Sequence, residues 1–129
     1  ERGREILARC APEFLVYSGD DATAAELILC GARGNVSVTA NVAPARVAAL
    51  CSAALAGDAV RTRALDVELA ELNRVLFVES NPIPVKWALL EMGLIGSGIR
   101  LPLTPLSPQY HERVRAALAD LGLLVSCEA

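Results

Sequence analysis

Apolar positions near the start of the chain recur at helical spacing. Ile6, Leu7 and Cys10 share one face, while Arg2, Arg4 and Arg9 lie off it, which predicts a helix over residues 1–11 that Pro12 ends. Phe14, Leu15, Val16 and Tyr17 form a continuous apolar run closed by Ser18 and Gly19. That pattern predicts a short strand covered on both faces, as in a parallel sheet. Asp20 and Asp21 offer N-cap chemistry for a helix over residues 22–30, with Gly31 at its C-cap and Gly34 at the next turn. Residues 35–39, Asn-Val-Ser-Val-Thr, are β-branched and short and read as a second strand. Pro44 suits the first turn of a helix running to about Ala56, before Gly57. The order helix, strand, helix, strand, helix implies a parallel sheet with right-handed crossovers.

Beyond Asp58 the pattern is helical only. Asp58 is the expected cap of a helix whose stripe is Val60, Leu65, Leu69, Leu72 and Leu76. Asn81-Pro82-Ile83-Pro84 predicts an extended turn, because residues before proline avoid the helical region. A short helix over residues 85–92 ends at Gly93, and a Gly/Pro loop occupies residues 96–106. Ser107 is the expected cap of a last helix, with Pro108 in its first turn, that runs to Leu121 before Gly122.

Two strands do not close a sheet. Both would present edges of unpaired N–H and C=O groups, and the run at 14–17 demands cover on two faces. The pattern also opens inside a helix with no strand before it. The chain therefore reads as a piece of a larger α/β protein; the alternative is a small two-stranded α/β domain closed by dimerisation.

Composition narrows the function classes. The chain has 129 residues, 53% hydrophobic and 21% charged, which excludes a disordered polymer. Aromatics are 4%, so the core is aliphatic. Twelve basic against fifteen acidic residues give a net charge of -3, which argues against a nucleic-acid footprint. No uncharged apolar run is long enough to span a membrane, and residues 1–5 lack the apolar core of a signal peptide. Cys10, Cys30, Cys51 and Cys127 have neither metal-ligand spacing nor a disulfide framework, so reduced thiols in a cytoplasmic protein are expected, with no metal and no cofactor.

Several strings resemble one family. Tyr17-Ser18-Gly19-Asp20-Asp21-Ala22, the run Gly34-Asn35-Val36-Ser37-Val38-Thr39-Ala40-Asn41-Val42, and Leu76-Phe77-Val78-Glu79-Ser80-Asn81-Pro82-Ile83-Pro84-Val85-Lys86-Trp87-Ala88 are similar to dihydrodipicolinate synthase. Arg100-Leu101-Pro102-Leu103-Thr104-Pro105-Leu106, Val114-Arg115-Ala116-Ala117-Leu118 and Leu121-Gly122-Leu123-Leu124 continue the likeness, which covers nearly the whole chain. The resemblance implies an α/β fold: the C-terminal part of a (β/α)8 TIM barrel, its last two strands (seven and eight) with their helices over residues 1–57, then a three-helix C-terminal extension over 58–129. It implies a lyase that holds pyruvate as a Schiff base on a lysine and condenses it with aspartate semialdehyde in diaminopimelate and lysine biosynthesis. It further implies a homo-oligomer and, as partner, an N-terminal half of the barrel carrying the lysine, the proton-relay tyrosines and threonine, and the substrate arginine.

No catalytic residue is therefore expected in this chain, and the chain alone is expected to be inactive. Eleven of its cations are arginine, and the single lysine, Lys86, falls in a helix rather than at a strand end. The resemblance carries over two substrate-binding positions. Gly19 matches a glycine beside bound pyruvate, against the alternative of a plain turn glycine. Val36 matches a residue whose main chain contacts pyruvate, against the alternative of a core valine. Asp20 and Asp21 point apart at a helix start, which favours capping over an acid–base pair. Ser37 and Thr39 alternate on the second strand and lack a histidine base, and Asn41 is expected to support the following loop. His111 is expected to be solvated or capping, Trp87 to be core, and Arg61, Arg63 and Arg74 to lace a solvated face with Asp66, Glu68 and Glu71. Two rivals remain: another pyruvate-dependent aldolase on the same barrel, and a non-catalytic α/β domain that self-associates.

Overall fold

The computed structural model describes residues 2–124; Glu1, Cys127 and the end of the 58–129 division lie outside them. Six helices follow in order: α1 (Arg2–Arg9), α2 (Asp21–Leu29), α3 (Pro44–Leu55), α4 (Ala59–Val75), α5 (Ile83–Glu91) and α6 (His111–Asp120). None of the described helices is long and apolar enough to cross a membrane.

The two expected strands are not formed as regular strands among the described residues. They survive as extended segments joined by one isolated parallel bridge, Ser18 to Asn35. The second segment stops short of Thr39 because the chain turns into a 3-10 helix over Thr39–Asn41. The cover expected on both faces of 14–17 is not supplied by the described residues: Phe14, Leu15 and Tyr17 are each more than half exposed. Only Val16 packs inward, against Ile28, Ala32 and Ala54.

The main core lies among the later helices. α4 contributes Leu69, Leu72 and Val75 with the following Leu76; α6 contributes Val114 and Leu118; α5 contributes Val85, Trp87 and Ala88. Leu72, Leu76, Val114 and Leu118 are almost fully enclosed, each a burial worth about 1.5–3 kcal/mol. The α4 stripe is shorter than expected. Val60 stands 83% exposed, because it lies across the helix from Thr62, which is fully buried in the same turn.

Local chemistry explains the boundaries. Asp58 caps α4 by accepting from the Arg61 amide at 3.0 Å. α5 begins earlier than expected, at Ile83, with Pro84 inside its first turn, where a missing N–H removes no helical bond. Ser107 does not cap the last helix. Its amide donates to Glu79 at 3.4 Å, and a 3-10 turn over Pro108–Tyr110 precedes α6. Of the arginines of α4, Arg63 reaches beyond its own helix to pair with Glu26 of α2 at 2.8 Å, while Arg74 pairs with Glu71 on α4 itself.

Candidate functional site at the ends of two parallel segments

The extended segments run parallel in a regular hydrogen-bond alternation. The Arg33 amide donates to Val16 O at 2.7 Å, Ser18 to Gly34 O at 2.9 Å and Val36 to Ser18 O at 2.8 Å. Both segments therefore end side by side, and both lead into polar loops. At the first end, Ser18 Oγ donates to the Asp20 carbonyl at 3.0 Å and accepts from its amide at 3.2 Å, folding the chain around Gly19.

Gly19 is exposed, lies outside the left-handed region, and a Cβ built on it meets nothing within 4 Å. Neither backbone conformation nor any described neighbour requires a glycine there. Val36, at the second end, is 73% exposed, so none of the described residues covers its side chain. Its amide is used by Ser18, and its carbonyl accepts no hydrogen bond among the described residues.

The paired aspartates divide their work. Asp20 caps α2, accepting from the Ala22 amide at 3.4 Å and from Thr23 Oγ1 at 2.7 Å. Asp21 turns inward and is buried. Its carboxylate accepts from Asn35 Nδ2 at 2.7 Å and from the amides of Val38 at 2.9 Å and Thr39 at 3.0 Å. Asp20 is thus the cap, while Asp21 stands in the first turn of α2, where a negative charge suits the helix dipole, and bonds across to the second segment. Thr39 does not stand free on a strand: its Oγ1 is fully enclosed and donates to Asn73 Oδ1 of α4 at 2.7 Å. Ser37 Oγ accepts from the Ala40 amide at 2.8 Å, and Asn41 Nδ2 donates back to Val38 O at 3.0 Å, so both shape the turn itself. Behind this turn, burial and the Asp21 charge push the Cys51 thiol up, partly offset by the Asn35 amide, which donates to its sulfur.

Sequence reading missed Asn73 and the inward role of Asp21. A signal for Asn73 existed: it interrupts the apolar stripe Leu69, Leu72, Leu76, and a polar residue on a buried face needs a partner. Two other expectations are resolved here. Lys86 lines a cavity of about 80 Å³ with Ile83, Trp87 and Leu90, and neither Gly19 nor Val36 lines it. His111 is partly buried, and its backbone amide closes the 3-10 turn over Pro108–Tyr110, in keeping with a capping role. It stacks on Trp87, as Trp87 itself joins the core as expected.

Residues 1–121 match the family described as the dihydrodipicolinate synthetase family. The chain belongs to this family. A 4-hydroxy-tetrahydrodipicolinate synthase from Alcanivorax borkumensis is 61% identical over 124 residues, covering 96% of this chain and 42% of the relative. Among solved structures, the chloride-inhibited dihydrodipicolinate synthase of Acinetobacter baumannii, complexed with pyruvate, superposes with a TM-score of 0.93 at 54% identity. It covers 95% of this chain and 42% of its own. The Aquifex aeolicus dihydrodipicolinate synthase gives 0.92 at 41% identity, covering 97% and 43%. These neighbours are (β/α)8 barrels, and the chain spans less than half the length of the relatives it matches. The family likeness read from the Asn81–Trp87 string and its companions is thereby borne out.

Proposed function

We propose that this chain is the C-terminal part of a Schiff-base pyruvate aldolase that condenses pyruvate with aspartate semialdehyde. Residues 1–57 supply the last two strands of the barrel with their helices, and 58–129 form the helical extension. Gly19 and the Val36 main chain border the pyruvate, and the imine lysine comes from the part of the barrel that the relatives have and this chain does not span. The assembled enzyme is a cytoplasmic homo-oligomer serving lysine synthesis.

One observation carries this reading. Two parallel segments end together at a glycine that none of the described residues requires and at a valine that none of them covers. Barrel enzymes place their substrates at the C-terminal ends of such strands. The exposed Phe14, Leu15 and Tyr17 are the apolar surface that flanking strands would bury. Lys86 is a poor nucleophile candidate, because its cavity is separate from the paired ends.

The test fuses the complementary N-terminal portion of the Alcanivorax borkumensis relative ahead of this chain. Pyruvate and borohydride are added, and the adduct is mapped by peptide mass. The expected result is one reduced pyruvate adduct on a lysine of the added portion and none on Lys86, with condensation of aspartate semialdehyde. An adduct on Lys86, or none anywhere, overturns the reading.

A further inference from the structure

The structure assigns to Asp21 a positioning role, one that rests on the pyruvate reading above: its carboxylate fixes where the second segment ends and so holds the Val36 main chain beside Gly19. Val36 cannot hold itself in place. Its side chain is 73% exposed and gains little from packing. What remains is the single bond from its amide to Ser18 O, together with whatever fixes the residues on either side.

Asp21 fixes both sides. It grips Asn35, immediately before Val36, through Nδ2 at 2.7 Å, and it grips Val38 and Thr39, just after, through their amides at 2.9 and 3.0 Å. A buried carboxylate is costly unless hydrogen-bonded, and here three donors satisfy it. Those donors lie 14 to 18 residues away in sequence, so the bonds join separate elements rather than finish a helix end. Asp20 already caps α2, which leaves Asp21 free of that duty. From the far side, Asn73 of α4 accepts from Thr39 Oγ1 at 2.7 Å, so the turn is held between two helices. Asn35 completes the arrangement with a buried Oδ1 that has no partner among the described residues. Its carboxamide can therefore turn over and still bond a residue at position 21.

That freedom gives a test that separates geometry from charge, using the completed barrel fusion. Asp21→Ala removes all three bonds and is expected to lower kcat/KM for pyruvate on the order of 100-fold, the scale of a small misplacement at a reacting centre. Asp21→Asn keeps an acceptor for the two amides and offers an N–H to a turned Asn35, and is expected to recover most of the loss. Amide exchange at Val38 and Thr39 should accelerate in the alanine variant and not in the asparagine variant. Should Asp21→Ala fail to fold, Asn35→Ala removes one bond only and is expected to raise KM for pyruvate about tenfold, with a smaller change in kcat. Variants that fold and keep the KM of the unaltered fusion overturn the positioning role alone. An unaltered fusion that traps no pyruvate overturns the functional reading and this role together.

Discussion

The imidazole of His111 lies flat against the indole of Trp87, ring centroids 4.5 Å apart and planes inclined by 17°. His111 Nε2 also donates to the Leu106 carbonyl at 3.0 Å, and the Arg115 guanidinium sits 5.3 Å from the centre of the same indole. One aromatic pair thus ties α5, the loop before α6 and α6 itself. Removing the imidazole should cost the stacking, about 0.5–1.5 kcal/mol, and a hydrogen bond of about 1 kcal/mol. His111→Ala is therefore expected to lower the free energy of unfolding by that sum and to redden the Trp87 emission as water reaches the indole. Trp87 is the only tryptophan of this chain, so its fluorescence in the isolated chain reports both changes directly.

Burial along α4 predicts unequal costs for similar truncations. Leu72 is 1% exposed at the centre of the main core, and Leu72→Ala should destabilise by about 2–5 kcal/mol. Val60 and Val67 lie on the same helix but are 83% and 75% exposed. Their alanine variants should stay within about 0.5 kcal/mol of the unaltered chain. Urea denaturation of the three variants checks the contrast, and equal costs would contradict the helix orientation.

Much of this was legible in the residues. Gly57, Gly93 and Gly122 mark helix ends because each adopts a positive φ that side chains disfavour. Leu69, Leu72 and Leu76 fall on one face because the helical period puts them there. What the pattern could not give were partners distant in sequence. A β-branched run at 35–39 reads as strand until Asp21, far upstream, captures the Val38 and Thr39 amides and bends it. Likewise, an apolar run at 14–17 reads as buried because hydrophobicity records what a segment wants covered, and the described residues leave Phe14 and Tyr17 more than half exposed. The stacking of His111 was not legible either, since nothing local predicts that Trp87, 24 residues earlier, will lie against it.

Two carboxyls near α2 should give stability opposite dependences on pH. The hydrogen bond from Arg63 holds the Glu26 carboxyl below the ordinary glutamate value, assisted by the charges of Arg63 and Arg4. Its contribution is present above the unfolded value, about 4.3, and is lost as pH falls through the lower folded value. Asp66 is shifted the other way, raised by burial and then by the Glu26 charge. The folded state keeps the Asp66 proton where the unfolded chain has released it, so stability falls as pH rises from about 3.9 to the higher folded value. Asp66→Asn should therefore stabilise the chain at neutral pH and have no effect below the unfolded value. Arg63→Ala should move the Glu26 midpoint upward. Carboxyl NMR titration and denaturation across this range measure both, and a Glu26 midpoint unmoved by Arg63→Ala would contradict the ion pair.

Gly19 offers the sharpest separation of fold from binding. A methyl group there meets no atom of the described residues within 4 Å, and the backbone is not in the left-handed region. Gly19→Ala should therefore leave the fold intact and, by restricting the unfolded chain, stabilise it by about 0.4–1 kcal/mol. If pyruvate occupies the space beside Gly19, the same methyl group collides with it. In the completed barrel fusion, the expected outcome is an equal or higher melting temperature together with at least an order of magnitude less pyruvate imine trapped at subsaturating pyruvate. A variant that melts as expected yet traps pyruvate at the unaltered concentration dependence would remove Gly19 from the binding site. Because the two readouts move in opposite directions, general damage to the fold cannot imitate the predicted result.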